Sequence, residues 1–428
     1  MSADNKGTGA EGQTAFRPAL ISALWGGYSG SDLRDDALAG LTVAIVALPL
    51  SMALAIASGL PPERGLYTAI IGGFLISLLG GSRFQIGGPA GAFIVLISLT
   101  LERHGYDGLV LATMLAGLIM VLAGALRLGT FIRHIPHPVT VGFAAGIAVI
   151  IFASQLKDLL GLQLAKEPGH LAPKLVAIWD VLPSVKPLTL VFSATCVIAI
   201  LVLRKYRPRW PGFVIVVFVA AIVAWLSQLD VATIGSRFGA VPNSLPAPVL
   251  PAFDIAKIYA VLPDAVALAL LGSIESLLSA LVADRMSGDK HRSNMELVAQ
   301  GTANFASVAF GGMPATGTIA RTATNIRAGA KSPVSGILHA FYLLIFMAIA
   351  APLAVHIPLA ALAAVLVVVA LNMSDHKEFR EIVTKHWTGA VVLLAVFLIT
   401  AFYDVVIAIV AGLVLTFIFR AAKLEQKR

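Results

Sequence analysis

Long apolar runs alternate along this chain with short polar or glycine- and proline-bearing breaks. The runs fall at roughly 37–58, 65–80, 89–101, 108–126, 138–156, 188–203, 212–228, 260–283, 295–310, 317–328, 333–353, 358–372, 387–401 and 403–419. Each is long enough to span or half-span a bilayer as a helix, which predicts about fourteen segments. The third and tenth are short, and both begin at a break that carries no charge: Gly87-Gly88-Pro89-Ala90-Gly91-Ala92 and Gly311-Gly312-Met313-Pro314-Ala315-Thr316-Gly317. An unpaired backbone group in hydrocarbon costs several kcal/mol, so a broken helix survives there only where it lines a protected cavity. Two such breaks at matching places point to a binding site near the membrane midplane.

Composition fixes the class. Of 428 residues 58% are hydrophobic and only 13% charged, too few charges to cover a soluble protein of this size. An all-α polytopic membrane protein follows. Cys196 is the single cysteine and forms no intrachain disulfide. Met1 to Phe16 lack an apolar core and read as a disordered tail, within a cytosolic N-terminal stretch of 1–35. With both termini cytosolic, 22 of the 31 Lys and Arg residues fall inside and 8 outside, with Arg321 left within a span. That bias obeys the positive-inside rule. It also accounts for the net charge of +8 without a nucleic-acid partner. The Pro-bearing connections near 157–187 and 229–257 then lie outside and read as surface loops.

His134-Ile135-Pro136 and His356-Ile357-Pro358 are offset by 222, and Pro89 and Pro314 by 225. These offsets predict a duplication of seven segments, repeat 1 over about 36–228 and repeat 2 over about 258–420. Seven is odd, so the second copy is inverted across the membrane. The same offset carries Pro49 to the neighbourhood of Glu275. The first, third, eighth and tenth segments therefore converge on one site.

Two helix starts facing each other, one after Pro89 and one near Gly317-Thr318-Ile319-Ala320, present free N–H groups and a partial positive charge to an anion. The alternative is that their glycines only let helices pack closely. Arg321 lies one turn into the tenth segment, where a buried cation needs an anion or Glu275 to offset its cost, unless it reaches the cytosolic interface. Glu275 lies near mid-span among hydroxyls. It suits a proton carrier, or else a static ion pair with Arg321. The histidines show no metal-ligand spacing, and Asp404 reads as a helix cap. No nucleotide loop, nucleophile elbow or zinc motif is present, which argues against an enzyme.

Leu48-Pro49-Leu50-Ser51-Met52-Ala53-Leu54-Ala55, Gly59-Leu60-Pro61-Pro62, Gly65-Leu66-Tyr67, Gly80-Gly81-Ser82-Arg83, Gly88-Pro89, Gly272-Ser273-Ile274-Glu275-Ser276, the run from Asn294 to Gly301 and that from Gly311 to Asn325 resemble the sulfate permease (SulP) anion transporters. The resemblance covers Asp36 to Arg420. It implies a seven-plus-seven inverted repeat in which segments 1–4 and 8–11 form a core, segments 5–7 and 12–14 form a gate, and the third and tenth are half-helices. It also implies an elevator-like movement of the core. The substrate site it implies comprises Pro49, Leu50, Leu54, Pro89, Ala90, Gly91, Ala92, Gly317, Thr318, Ile319, Ala320 and Arg321, with Glu275 and Ser279 in coupling. Ile319 stands where sodium-coupled members place a hydroxyl, so the coupling ion expected is a proton, with no other cofactor or metal. The Pro-Leu-Ser-Met-Ala form of the first segment is similar to bacterial dicarboxylate members. Family members usually continue into a cytosolic STAS domain, whereas this sequence ends at Arg428 with a cytosolic stub of 421–428. A homodimer is expected, weakened without that domain.

The expected function is secondary transport of a small anion across a bacterial inner membrane: a C4-dicarboxylate such as fumarate or succinate, sulfate, or bicarbonate. An exchanger or channel on the same scaffold is the first alternative. A nucleobase permease fits Leu50 and Arg321 poorly.

Overall fold

The computed structural model describes residues 16–132, 136–164, 167–208, 210–251, 254–385 and 387–422. His134 and Ile135, used above as a repeat landmark, lie outside the described residues, as do nearly all of the N-terminal tail and the C-terminal stub.

Ordered structure begins earlier than the apolar pattern suggests. Within the stretch to residue 35 read as tail, α1 (Ala19–Trp25) is helical and α2 (Gly30–Ala57) has already started. Ser29 and Asp32 form a reciprocal capping box at its N-terminus, which satisfies two otherwise orphaned amides. One turn on, buried Asp36 accepts hydrogen bonds from the Tyr28 hydroxyl (2.8 Å), the Lys331 and Ser332 amides (2.7 and 3.1 Å) and the Ser332 hydroxyl (2.6 Å). Burial first, and then the neighbouring Asp36, push the Tyr28 phenol above its ordinary pKa, so it remains a donor.

Repeat 1 continues through α3 (Pro62–Tyr67), a π turn (Thr68–Gly72) and α4 (Gly73–Leu79) to the short strand β1 (Gly87–Gly88). A 3-10 turn (Gly91–Phe93) leads into α5 (Ile94–Ala125), followed by α6 (Gly129–Ile132), α7 (His137–Leu160), α8 (Leu171–Asp180), α9 (Pro187–Tyr206) and α10 (Gly212–Leu226). After α11 (Ile234–Phe238), repeat 2 runs through α12 (Ile255–Ser287), α13 (Ser293–Ala309), strand β2 (Thr316–Gly317), α14 (Ile319–Arg327), α15 (Val334–Ala354), α16 (Leu359–Met373), α17 (His376–Lys385), α18 (Trp387–Phe402) and α19 (Val405–Ala421). Among the described residues, seven helices are long and apolar enough to cross a membrane on length and composition alone. The third and fourth expected segments form one run, folded at Gly105 with φ 67° and ψ −173°, a conformation open to glycine because it has no Cβ.

Both connections read as loops contain helices, α8 and α11. The first is anchored by its lysine: the Lys174 amine donates to Ser154 Oγ (2.9 Å) and pairs with Glu167 (2.8 Å). Charge and proline hide that helix from a hydropathy reading. Asp404 caps α19, accepting from the Val406 and Ile407 amides at 2.8 and 2.9 Å.

The helices pack in two sets. In one, α5 lies on α12 and α13, and α2 on α15 and α3; in the other, α7 lies on α16 and α18, α9 on α16, and α19 on α18. Helices α5 and α13 touch backbone to backbone where a Cβ on Gly117 would lie 2.6 Å from the Gly301 carbonyl oxygen. Gly301→Val should force these helices apart and cost about 1–3 kcal/mol or more. A fall of several degrees in the detergent melting temperature is expected, with Gly30→Ala, which meets nothing within 4 Å, unchanged.

Candidate functional site

The two uncharged breaks meet. β1 and β2 pair antiparallel, Gly87 opposite Gly317 and Gly88 opposite Thr316, as copies inverted across the membrane would place them. Side chains satisfy the backbone around the pair. The Thr318 amide donates to the Ile86 carbonyl (2.9 Å), and the Ile86 amide to Thr322 Oγ1 (3.1 Å). From α12, Ser276 shares a hydrogen bond with Thr316 (2.7 Å) and Ser279 one with Thr322 (3.2 Å). From α13, Asn304 bonds Ala315 in both directions (2.9 and 2.7 Å), while Thr68 accepts from the Met313 amide (2.7 Å). The fold at Gly105 brings Tyr106 to the same break, its hydroxyl donating to the Gly312 carbonyl at 2.9 Å. Buried irregular backbone is held with few loose ends, as a hydrocarbon setting requires.

Beyond the strands the chain enters a helix on each side. Pro89 and Ala90 are not yet helical; the first tip starts at Gly91 through the 3-10 turn, one residue later than expected, and the second at Ile319. Ala90 and Thr318, the residues ahead of each tip, are extended and make no side-chain cap. The first amides of both helices therefore lack the usual capping partner, which leaves a partial positive charge at each tip. The second tip is open: Ile319 is 41% exposed and Ala320 is exposed.

Arg321 lies in the first turn of α14. It is 2% exposed, and its Nη2 donates to Ser51 Oγ (3.2 Å) and the Pro89 carbonyl (3.4 Å), while Nε and Nη1 have no partner. No carboxylate pairs with it among the described residues. Glu275 is half-buried, next to Ser276, and likewise makes no ion pair or hydrogen bond among the described residues. The static Glu275–Arg321 pair weighed above does not form, and each group stands without a charged partner among the described residues.

Of the other residues expected at the site, Leu54 comes within 3.8 Å of where a Gly91 side chain would start. Leu50, one turn earlier, is buried, as are Pro49, Pro89, Ala90 and Ala92. Pro49 also borders a mostly apolar cavity of about 260 Å³, lined by Leu48, Met52, Val217, Phe346, Trp225 and His356 among others. Gly317 is pressed against Gln85, and Gly88 against the Arg321 guanidinium. Thr316, part of the second break, belongs to this constellation, as do Ser51, Gln85, Ser276 and Thr322, which were not singled out from the sequence. The signal for Ser51 and Ser276 was their place inside two of the motifs quoted.

Residues 33–396 match the profile of the sulfate permease family. The chain belongs to that family. It is 42% identical over 407 residues to YvdB of Bacillus subtilis, covering 95% of this chain and 77% of that one. It is 31% identical to the bicarbonate transporter BicA of a Picosynechococcus, covering 89% and 69%, and 29% identical to the sodium-independent sulfate anion transporter of Bos taurus, covering 90% and 69%. Among solved structures, the transmembrane domain of a cyanobacterial BicA superposes with a TM-score of 0.79 at 31% identity, covering 90% of this chain and 98% of that one. SLC26A9 superposes with a TM-score of 0.86 at 19% identity, covering 99% and 71%, a likeness of fold. This sulfate permease family member is thus a multi-pass membrane transporter and not an enzyme.

The strand contact is testable through its glycine. A methyl at Gly317 would overlap the Gln85 amide, so Gly317→Ala should lower transport at least about tenfold, the scale of a small misplacement of binding groups. Adding Gln85→Ala should recover most of it, read as initial uptake rates at matched protein levels.

Proposed function

We propose that this protein is a proton-coupled anion symporter of a bacterial inner membrane, with both termini cytosolic, and that it moves a small carboxylate. The observation that carries the reading is the pair of uncapped helix starts that leave the joined strands, with buried Arg321 of the second reaching the Pro89 carbonyl ahead of the first and pairing with no carboxylate among the described residues. Free amides, two partial helix charges and one guanidinium add up to a site for negative charge. Their recognition is of charge, so sulfate and bicarbonate, named for the bovine and cyanobacterial relatives, remain competing substrates. Leu50 and Leu54 beside the first tip favour an anion with an apolar part.

Glu275 supplies the coupling. A half-buried carboxyl without a fixed partner can be protonated in one state of the cycle and release its proton in another, and Ser276 and Ser279 on the same helix tie it to β2 and α14. The set containing α2 and α12 acts as the moving core and the set containing α7 and α16 as the gate, in a homodimer. Core and site then travel together, because both tips and Arg321 belong to one helix set.

Uptake of labelled succinate, sulfate and bicarbonate into proteoliposomes, with and without an inward proton gradient, tests the reading; accumulation that responds to a sodium gradient and not to protons would refute it. Glu275→Gln should abolish gradient-driven accumulation and retain measurable exchange, and an unchanged pH dependence would remove its coupling role. Arg321→Ala should weaken apparent anion affinity at least about tenfold, the cost of losing a charge-assisted partner. An unaltered half-saturation concentration would show that the guanidinium does not act on the solute.

A further inference from the structure

The first helix tip of the proposed site is packed by apolar side chains from across the protein. At Gly91, the first residue of the first tip, a Cβ would lie 2.8 Å from Ile151 Cδ1, 3.7 Å from Met373 Sδ and 3.8 Å from Leu54 Cδ2. Ile151 belongs to α7 and Met373 ends α16, so both come from the opposite helix set. The absent side chain at Gly91 is what lets them approach the free amides. Ile151 is fully buried and Met373 half-buried.

The two residues are also repeat mates. Positions 151 and 373 differ by 222, as do Pro136 and Pro358, which precede α7 and α16. The inverted duplication that sets one helix tip against another thus sets one aliphatic side chain beside another over Gly91. Neither residue follows from a polar motif.

We infer that Ile151 and Met373 are the specificity-determining wall of the site, selecting an anion whose charge is gathered at carboxylate groups and whose remaining surface is hydrocarbon. This rests on the transport reading above and names the substrate class within it. An inorganic oxyanion carries acceptor oxygens on every side. Those turned toward a methyl and a thioether lose water and gain no donor, a cost that buried polar groups cannot avoid. A small carboxylate presents its oxygens to the helix amides and its methylenes to Ile151 and Met373, leaving nothing unsatisfied. An apolar wall discriminates against added polar oxygens on the scale of about ten- to a hundredfold.

The test compares initial uptake of labelled succinate and labelled sulfate by the full chain in proteoliposomes. Variants are Ile151→Thr and Met373→Gln, singly and together, with Ile151→Val and Met373→Leu as size-matched apolar controls. The wild type should favour succinate, and the polar pair should lower the succinate-to-sulfate ratio by about tenfold or more. The apolar controls should keep the wild-type ratio, which separates wall polarity from packing. If the double variant fails to insert, Ile151→Thr carries the comparison alone, since it is nearly isosteric with its Val control. A wild type that favours sulfate, or polar variants whose ratio stays within about twofold of wild type, would overturn the wall while leaving anion transport intact. A wild type that takes up neither anion would overturn the transport reading itself.

Discussion

The pairing of Gly87 and Gly88 with Thr316 and Gly317 is the constraint on which the rest of the structure depends. Each break frees backbone groups that hydrocarbon cannot solvate. Neither can close on itself, because a two-residue strand has no partner of its own. Joined antiparallel, they satisfy one another, and the two half-helices leave the pair from its opposite ends. Ser276, Thr316 and Thr322 then complete the bonding from the side, so that the tips retain free amides while the strands behind them do not.

The arrangement separates recognition from support. In the proposed site, donors and charge come from α5, α14 and Arg321, whereas Asn304, Thr68, Tyr106 and Asp36 hold the broken segments and their flanks. Arg321 stands between these functions. Its contacts with Ser51 and the Pro89 carbonyl link the first helix of one repeat to the half-helix of the other, and its remaining N–H groups stay unpaired. A fully paired arginine would have left the tips with only their partial charges.

The architecture was legible because hydrophobic length is a strong signal: segments read at 212–228 and 358–372 appear as α10 and α16 within two residues. The breaks were legible because several glycines and a proline cluster there, whereas lone prolines such as Pro49 and Pro263 sit inside continuous helices. Other features had no such signature. A serine or threonine within an apolar run usually bonds its own helix, so nothing marked Ser276 or Thr322 as bonding across. Gln85 lies in a polar-looking turn and gives no hint of burial against Gly317. The helices α8 and α17 carry too much charge to register as apolar segments, yet Lys174 is buried and Phe379 packs on Phe397 at 5.8 Å. Ile151 and Met373 look like every other aliphatic position in their helices until the fold places them.

The strand pair also bears on how the protein is made. Gly87 and Gly88 leave the ribosome half a chain before Thr316 and Gly317, and contacts of such sequence separation form late. During that interval the first break has no backbone partner and no stable place in the lipid. The first break gains its strand partner only once the second repeat has been made. The inverted arrangement thus makes completion of the first half depend on synthesis of the second.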